Sequence, residues 1–256
     1  MKTRPPISAA RRIRFPIAVL MVIACSTSFR CNWACGQSDV SSENEVVDRF
    51  WDVLLRRPRP GIALDRIYSH HVQNGSVDTF LRSLDRGPTE EQAGEHQMIR
   101  GLIQLRRGQS SAAVDSLRKA DRLLPADAMS SYYFALALQA AGNTDEAVVA
   151  FQRSIDRKPS RREAADVYFE LSHLQTQAKK TQEAIATLAS LQERFPGDQE
   201  IGQRIARTLV AERLFPAALD KYSELADSTQ QPEEKIHCQI EAAEIKRQLG
   251  DVQESM

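Results

Sequence analysis

The sequence predicts an all-α protein, a solenoid of stacked helix–turn–helix repeats. Three observations carry that prediction. Residues 108–125, GQSSAAVDSLRKADRLLP, return at residues 142–159 as GNTDEAVVAFQRSIDRKP, a shift of 34. A third copy keeps Ala184, Ile185, Leu188 and Pro196, shifted by 37, and a fourth keeps Ala218, Leu219, Tyr222 and Leu225, shifted by 34 again. Such a period marks units that each cover a neighbour. Second, small residues recur in two columns, Gly101, Ala135, Ser172 and Ala206 in one and Ala113, Ala147, Ala184 and Ala218 in the other. Facing small residues let two helices approach to about 8–9 Å. Third, Pro125, Pro159 and Pro196 close the copies, because proline cannot continue a helix.

The chain opens on an address. MKTRPPISAARRIRFPIAVLMVIACSTSF sets a basic stretch before an apolar run from Phe15 to Cys25. Eleven apolar residues reach only about half of what a membrane-spanning helix needs. Residues 1–36 are therefore expected to be a secretory signal peptide. Ala34 and Gly36 are small residues at the −3 and −1 places, which puts the mature start at Gln37. VIAC resembles a lipobox, the alternative in which Cys25 is lipidated. Either outcome gives an exported protein, in the periplasm or at the cell surface.

Residues 37–60 are expected to form a capping helix and a basic proline linker. A Ser42/Glu45 capping box opens the helix, Val46, Val47, Phe50, Trp51 and Leu54 make its apolar stripe, and RRPRPG ends it as a solvated linker. Residues 61–93 read as a degenerate repeat in which Phe80 replaces the small alanine. Residues 94–231 hold four full repeats, with helix starts at Asp127, at Ser160 paired with Glu163, and at Asp198. The three extra residues of the third unit fall before Leu171 and Ser172 and should lengthen its first helix by almost a turn. Residues 232–256 supply the first helix of a further, incomplete repeat and a GD turn at 250–251. An uncovered apolar face there suggests that a longer chain or a second subunit completes it, so self-association is among the expectations.

Charge and composition exclude several function classes. Residues 1–36 carry six basic side chains and no acid, which leaves the remainder with 28 basic against 34 acidic side chains. That acidic balance argues against nucleic acid as a partner. Cys25, Cys31 and Cys35 fall in the signal region, which leaves Cys238 as a lone thiol. His70, His71, His96, His173 and His237 lack partners at catalytic or metal-ligand spacing, and no HExxH, GxSxG, P-loop or CxxC motif occurs. No catalytic residue, metal site or cofactor is expected. The protein reads as no enzyme.

The segment LSHLQTQAKKTQEAIATLASLQERFP, residues 171–196, carries a small residue after leucine, the alanine of the second helix and the closing proline. In these features the chain resembles the tetratricopeptide repeat family over residues 94–230, as an exported bacterial member. Gln97, Ser131, Tyr168 and Gly202 stand in the family's tryptophan column, and Gln104 and Gln175 where a large apolar residue or tyrosine is usual. The resemblance implies a right-handed superhelical solenoid whose concave groove contacts protein or peptide partners. The groove positions it implies are Met98, Leu102, Tyr132, Tyr133, Leu136, Phe169, His173, Gln203 and Arg207. The carboxylate clamp of chaperone-binding members is absent: Met98, Leu102 and Tyr133 replace its polar groups, and Asp166 and Glu170 stand where it needs cations. The expected function is a non-enzymatic exported scaffold. Two alternatives stay open, an N-terminal recruitment domain of a longer exported protein or enzyme, and an envelope-assembly lipoprotein. The membrane enters only through the signal sequence or a lipid anchor at Cys25.

Overall fold

The computed structural model describes residues 37–86 and 90–254, and among them every regular element is helical. The expected signal segment, its cleavage point after Gly36 and Cys25 lie outside the described residues. In chain order the helices are α1 (Gln37–Arg56), α2 (Ile62–Gln73), α3 (Val77–Arg86), α4 (Ala93–Arg106), α5 (Ser110–Leu123) and α6 (Ala128–Ala140). There follow α7 (Thr144–Asp156), α8 (Arg161–Gln177), α9 (Thr181–Arg194), α10 (Gln199–Ala211), α11 (Phe215–Ser228) and α12 (Pro232–Glu254). No helix among the described residues is long and apolar enough to cross a membrane.

Helices α4 to α11 form four antiparallel hairpins, each packed on the next, which is a helical solenoid. The small columns sit where backbones meet. Ala135, Ser172, Ala206, Ala113, Ala147, Ala184 and Ala218 are all buried. A Cβ at Gly101 would fall 2.4 Å from the Leu117 Cγ, so only glycine fits under that leucine. The caps also form: Asp127 accepts from the Met129 N–H at 3.0 Å and Asp198 from the Ile201 N–H at 3.1 Å. Glu163 accepts from the Ser160 N–H at 3.3 Å and from its hydroxyl at 2.7 Å. Helix α8 has 17 residues against 13 in α6 and α10, which is where the three extra residues went.

The turn inside each hairpin uses one backbone recipe, a left-handed residue whose neighbours bond back to the first helix. Gly108 (φ 70°) and Gly142 (φ 81°) adopt it freely, but Lys179 (φ 61°) and Arg213 (φ 59°) adopt it in the third and fourth hairpins. The amide after the left-handed residue reaches Gln104, Leu138, Gln175 and Leu209 carbonyls at 2.9, 2.8, 2.8 and 2.8 Å respectively.

Gln104 and Gln175, which break the apolar column, are buried and paired. The Ser116 hydroxyl donates to Gln104 Oε1 at 2.7 Å, and the Thr187 hydroxyl to Gln175 Oε1 at 2.8 Å. The second hairpin places Leu138 and Ala150 in the same two columns, an apolar version of the same contact. Another buried brace centres on Asp121 of α5, which accepts from Ser131 at 2.5 Å, from Arg157 at 2.7 Å and from Arg153. Arg157 also donates to the Asp127 carbonyl at 3.0 Å, so one carboxylate joins α5, α6 and α7.

Two apolar clusters share the structure and meet on α8. Val167, Leu171 and Leu174 belong to the first, with Leu54, Leu64, Ile67 and the cores of α4–α7. Ala164, Ala165, Tyr168 and Phe169 belong to the second, with α9–α12 down to Ile245. The α2–α3 hairpin is tied to α4 by Arg106 with Asp65, Arg100 with Asp85, and Arg107 with Asp78 at 2.6 Å.

Three features differ from the sequence expectation. Helix α1 starts at Gln37, so Ser42 and Glu45 lie inside it and do not open it. The helix α12 runs through Gly250 and Asp251 to Glu254, where a GD turn was expected. At Gly108 and Gly142 a second helix packs back against the first. No helix follows α12 among the described residues, and its intrahelical bonds continue. The third is the basic linker, expected to be solvated: Arg56, Arg57, Pro60 and Gly61 are exposed, but Pro58 is buried and Arg57 and Arg59 pair with carboxylates of the repeats.

Candidate functional site

The first helices of the hairpins, α4, α6, α8 and α10, carry the nine expected groove positions, and the structure treats them unequally. Met98 (0% exposed) and Leu102 (4%) lie in the first apolar cluster with Leu54, Leu64 and Ile67. The N-terminal helices α1 and α2 contribute to that cluster and so enclose side chains that the repeat columns alone would leave open. Trp51 of α1 also meets Phe80 and His96 edge-on, with centroids 5.7 and 5.6 Å away.

Tyr132 (9% exposed), Tyr133 (8%) and Phe169 (8%) are mostly buried, the tyrosines in the first apolar cluster and Phe169 in the second. The tyrosine rings are edge-on at 5.0 Å. Burial pushes the Tyr133 hydroxyl up to about 12, against the pull of Arg59, with Asp166, Glu163 and Asp127 pushing the same way as burial. Burial raises Tyr132 further still, helped by Glu170 and Asp166. Leu136 is half-buried against the first cluster.

On α10, Arg204 connects the aromatic and acidic parts. Its guanidinium lies 4.2 Å from the centre of the Phe169 ring and 3.3 Å from the Asp166 carboxylate. His173 Nδ1 meets Glu212 Oε1 at 2.5 Å and its Nε2 meets Gln177 at 2.7 Å, which bridges α8 to the end of α10. Gln203 is half-buried and Arg207 exposed, and Arg207 bonds back to Gln203, at 3.3 and 3.5 Å. The structure thus gathers Tyr132, Tyr133, Phe169 and Arg204 with Asp166 and Glu170, leaves the half-buried Gln203 and the exposed Arg207 as a separate pair, and removes Met98 and Leu102 to the core.

Sequence reasoning missed the residues that cross this face. Pro58 is buried, and Arg59 forms a two-pronged pair with Asp127, Nη1 to Oδ2 at 3.0 Å and Nη2 to Oδ1 at 2.7 Å. Arg57 reaches Glu163 Oε1 at 3.0 Å, with Arg59 Nε 3.7 Å from the same oxygen. Burial raises the Glu163 carboxyl, but hydrogen bonds from Ser160 and Arg57, with Arg59 nearby, hold it below the usual carboxylate range. Asp127 and Glu163 were legible as helix caps. A cap uses only part of a carboxylate, and the remaining lone pairs were the signal available.

Among the described residues no group of three or more His, Cys, Asp or Glu could hold a metal ion. Cys238 is buried beside α11, and burial pushes its thiol up, away from the reactive thiolate.

Stacked helical hairpins with an aromatic and charged first-helix face define a helical-repeat protein. Residues 138–207, spanning parts of the second to fourth hairpins, match the sequence model of the tetratricopeptide repeat. Among curated proteins none matches the chain in sequence. Solved structures similar to it include MamA, at 20% identity and TM-score 0.47, covering 63% of this chain and 94% of that one. YrrB, a repeat protein described as having an unusual peptide-binding site, aligns at 15% identity and TM-score 0.41 over 75% of this chain and 98% of its own. TTC0263, a thermophilic repeat protein of Thermus thermophilus, aligns at 18% identity and TM-score 0.40, over 69% of this chain and 95% of its own.

Proposed function

We propose that the chain is a non-enzymatic scaffold that binds a protein or peptide partner along the first-helix face of α6, α8 and α10. One observation carries the reading. Tyr132, Tyr133 and Phe169, each only 8–9% exposed, lie against the charged side chains of Asp166, Glu170 and Arg204. Aromatic anchors ringed by charge make a good centre for an interface. Members of this repeat family generally act as scaffolds, which favours binding over chemistry.

The test is capture from envelope extract on the immobilised chain, with an Asp166→Lys/Glu170→Lys variant alongside. These side chains are partly exposed, so the variant keeps its helices. A partner held by the parent and lost by the variant is the expected result. Equal recovery on both would place recognition elsewhere.

Export belongs to the same proposal and is supported by the basic and apolar pattern of residues 1–36. Sequencing the N-terminus of the mature protein should return Gln37. Palmitate labelling that disappears in Cys25→Ala would instead favour the envelope lipoprotein.

A second reading has its own support. Ile236 (56% exposed) and Ile240 (61%) lie one turn apart on α12, on a face that no described residue covers. A recruitment module within a longer exported protein, or a second copy, would cover it. Light scattering on the purified chain with and without Ile236→Lys/Ile240→Lys separates a dimer from a monomer.

A further inference from the structure

The linker between α1 and α2 is held by the repeats in the manner of a ligand. Arg57-Pro58-Arg59 crosses to residues 68 and 106 positions away, and its contacts there are two charge-assisted pairs and one buried proline ring. The segment is anchored at both sides, by Leu54 of α1 and by Leu64 and Ile67 of α2 in the core. Gly61 has φ 148°, a conformation open to glycine, and it turns the chain into α2. Residues 57–61 can therefore lift away while both flanking helices stay packed.

The receptor side is larger than the linker fills. Asp127 at the start of α6 and Glu163, Asp166 and Glu170 on α8 lie near Tyr132 and Tyr133 and form an acidic row. The linker neutralises only the first two. Asp166 has Arg204 at 3.3 Å, and Glu170 has no cationic partner among the described residues. A longer segment with the same arginine and proline chemistry would keep both pairs made by the linker and add the rest of the row.

We propose that Arg57-Pro58-Arg59 is a built-in stand-in for the partner, and that the partner binds through an extended, arginine-bearing, proline-containing segment that displaces it. The inference rests on the first-helix face being the binding face. A tethered occupant acts at an effective concentration on the order of millimolar, so it lowers the apparent affinity of any competitor. The linker thereby sets a threshold: weakly basic segments are excluded and only those reaching Asp166 and Glu170 enter.

The test uses the full chain and a fluorescent RRPRPG peptide extended by two arginines, with a citrulline version as the neutral control. Arg57→Ala/Arg59→Ala should bind the arginine peptide at least tenfold tighter than the parent. The citrulline peptide should bind neither, and raising salt should weaken the arginine peptide. Equal affinity of parent and variant, or citrulline binding as well as arginine, overturns the proposal. If the double variant loses helicity, the unaltered chain decides. Excess arginine peptide should speed amide exchange at residues 57–61, and no change at saturating peptide would overturn it. Should the peptide fail while capture still depends on Asp166 and Glu170, this inference alone falls. If that dependence is absent as well, the proposed function falls with it.

Discussion

Lys179 and Arg213 occupy the left-handed turn position that Gly108 and Gly142 fill in the first two hairpins. An L-residue in that region costs about 1–2 kcal/mol, and glycine removes the cost. Glycine also gives the unfolded chain more freedom, a penalty of about 0.4–1 kcal/mol. Neither side chain forms a hydrogen bond or ion pair among the described residues, and both are exposed, so nothing else is lost. Lys179→Gly and Arg213→Gly should each stabilise by a net of about 0.5–1 kcal/mol. The two turns are one repeat apart, so the effects should add. For a chain of this size the double variant should melt about 2–8 °C higher. Amide exchange should slow first in α8–α9 for the former and in α10–α11 for the latter, because repeats open in part independently. Gly142→Lys supplies the mirror image. A Cβ there meets nothing within 4 Å, so its loss of about 1 kcal/mol or more is backbone alone. A lower melting temperature for Lys179→Gly, or a fully tolerated Gly142→Lys, would refute the reasoning.

Three further outcomes are expected. Ser116→Ala should cost about 1–3 kcal/mol in urea unfolding by orphaning the buried Gln104 oxygen, while Gln104→Leu/Ser116→Ala should recover most of it by copying Leu138 and Ala150. Asp121→Ala should cost about 3–5 kcal/mol because it strands Arg157, and a melting temperature equal to the parent's would contradict the brace. Burial lowers the His96 pKa in the folded state, and neither ring nitrogen has a hydrogen-bond partner among the described residues, so the unfolded chain takes up the proton first. That stability is present above about pH 6.5 and is lost as pH falls towards the folded pKa, at up to about 1.4 kcal/mol per pH unit. Melting between pH 7.5 and 5 should show the slope, and His96→Phe should flatten it without abolishing it. The lowered pKa of His71, also from burial first, supplies the remainder.

The repeat columns made α4 to α11 legible, because small residues, caps and closing prolines each answer a local packing need that recurs every unit. Ala113, Ala147, Ala184 and Ala218 all face a neighbouring helix for one reason. Gln104 and Gln175 looked like divergence because each polar partner lies 12 residues on, in a column that Ala150 shows can equally be apolar. The turns at Lys179 and Arg213 carry no glycine, so their geometry follows from the hairpin and not from their own preference. The linker was least legible. Its pairs with Asp127 and Glu163 span 68 and 106 residues, and the linker lies outside the repeats, so no periodic signal marks its own arginines. Met98 and Leu102 illustrate the same limit: column position says which way a side chain points, whereas the packing of α1 and α2 decides whether it stays open.

The central claim is that a partner chain lies on the first-helix face. The most direct measurement is photo-crosslinking from single positions in cells, with the reactive side chain at Gln203 of α10 or at the exposed Val149 of α7. The account predicts a discrete adduct from position 203 and none from position 149. Adducts from position 149 with a bare position 203 would contradict it.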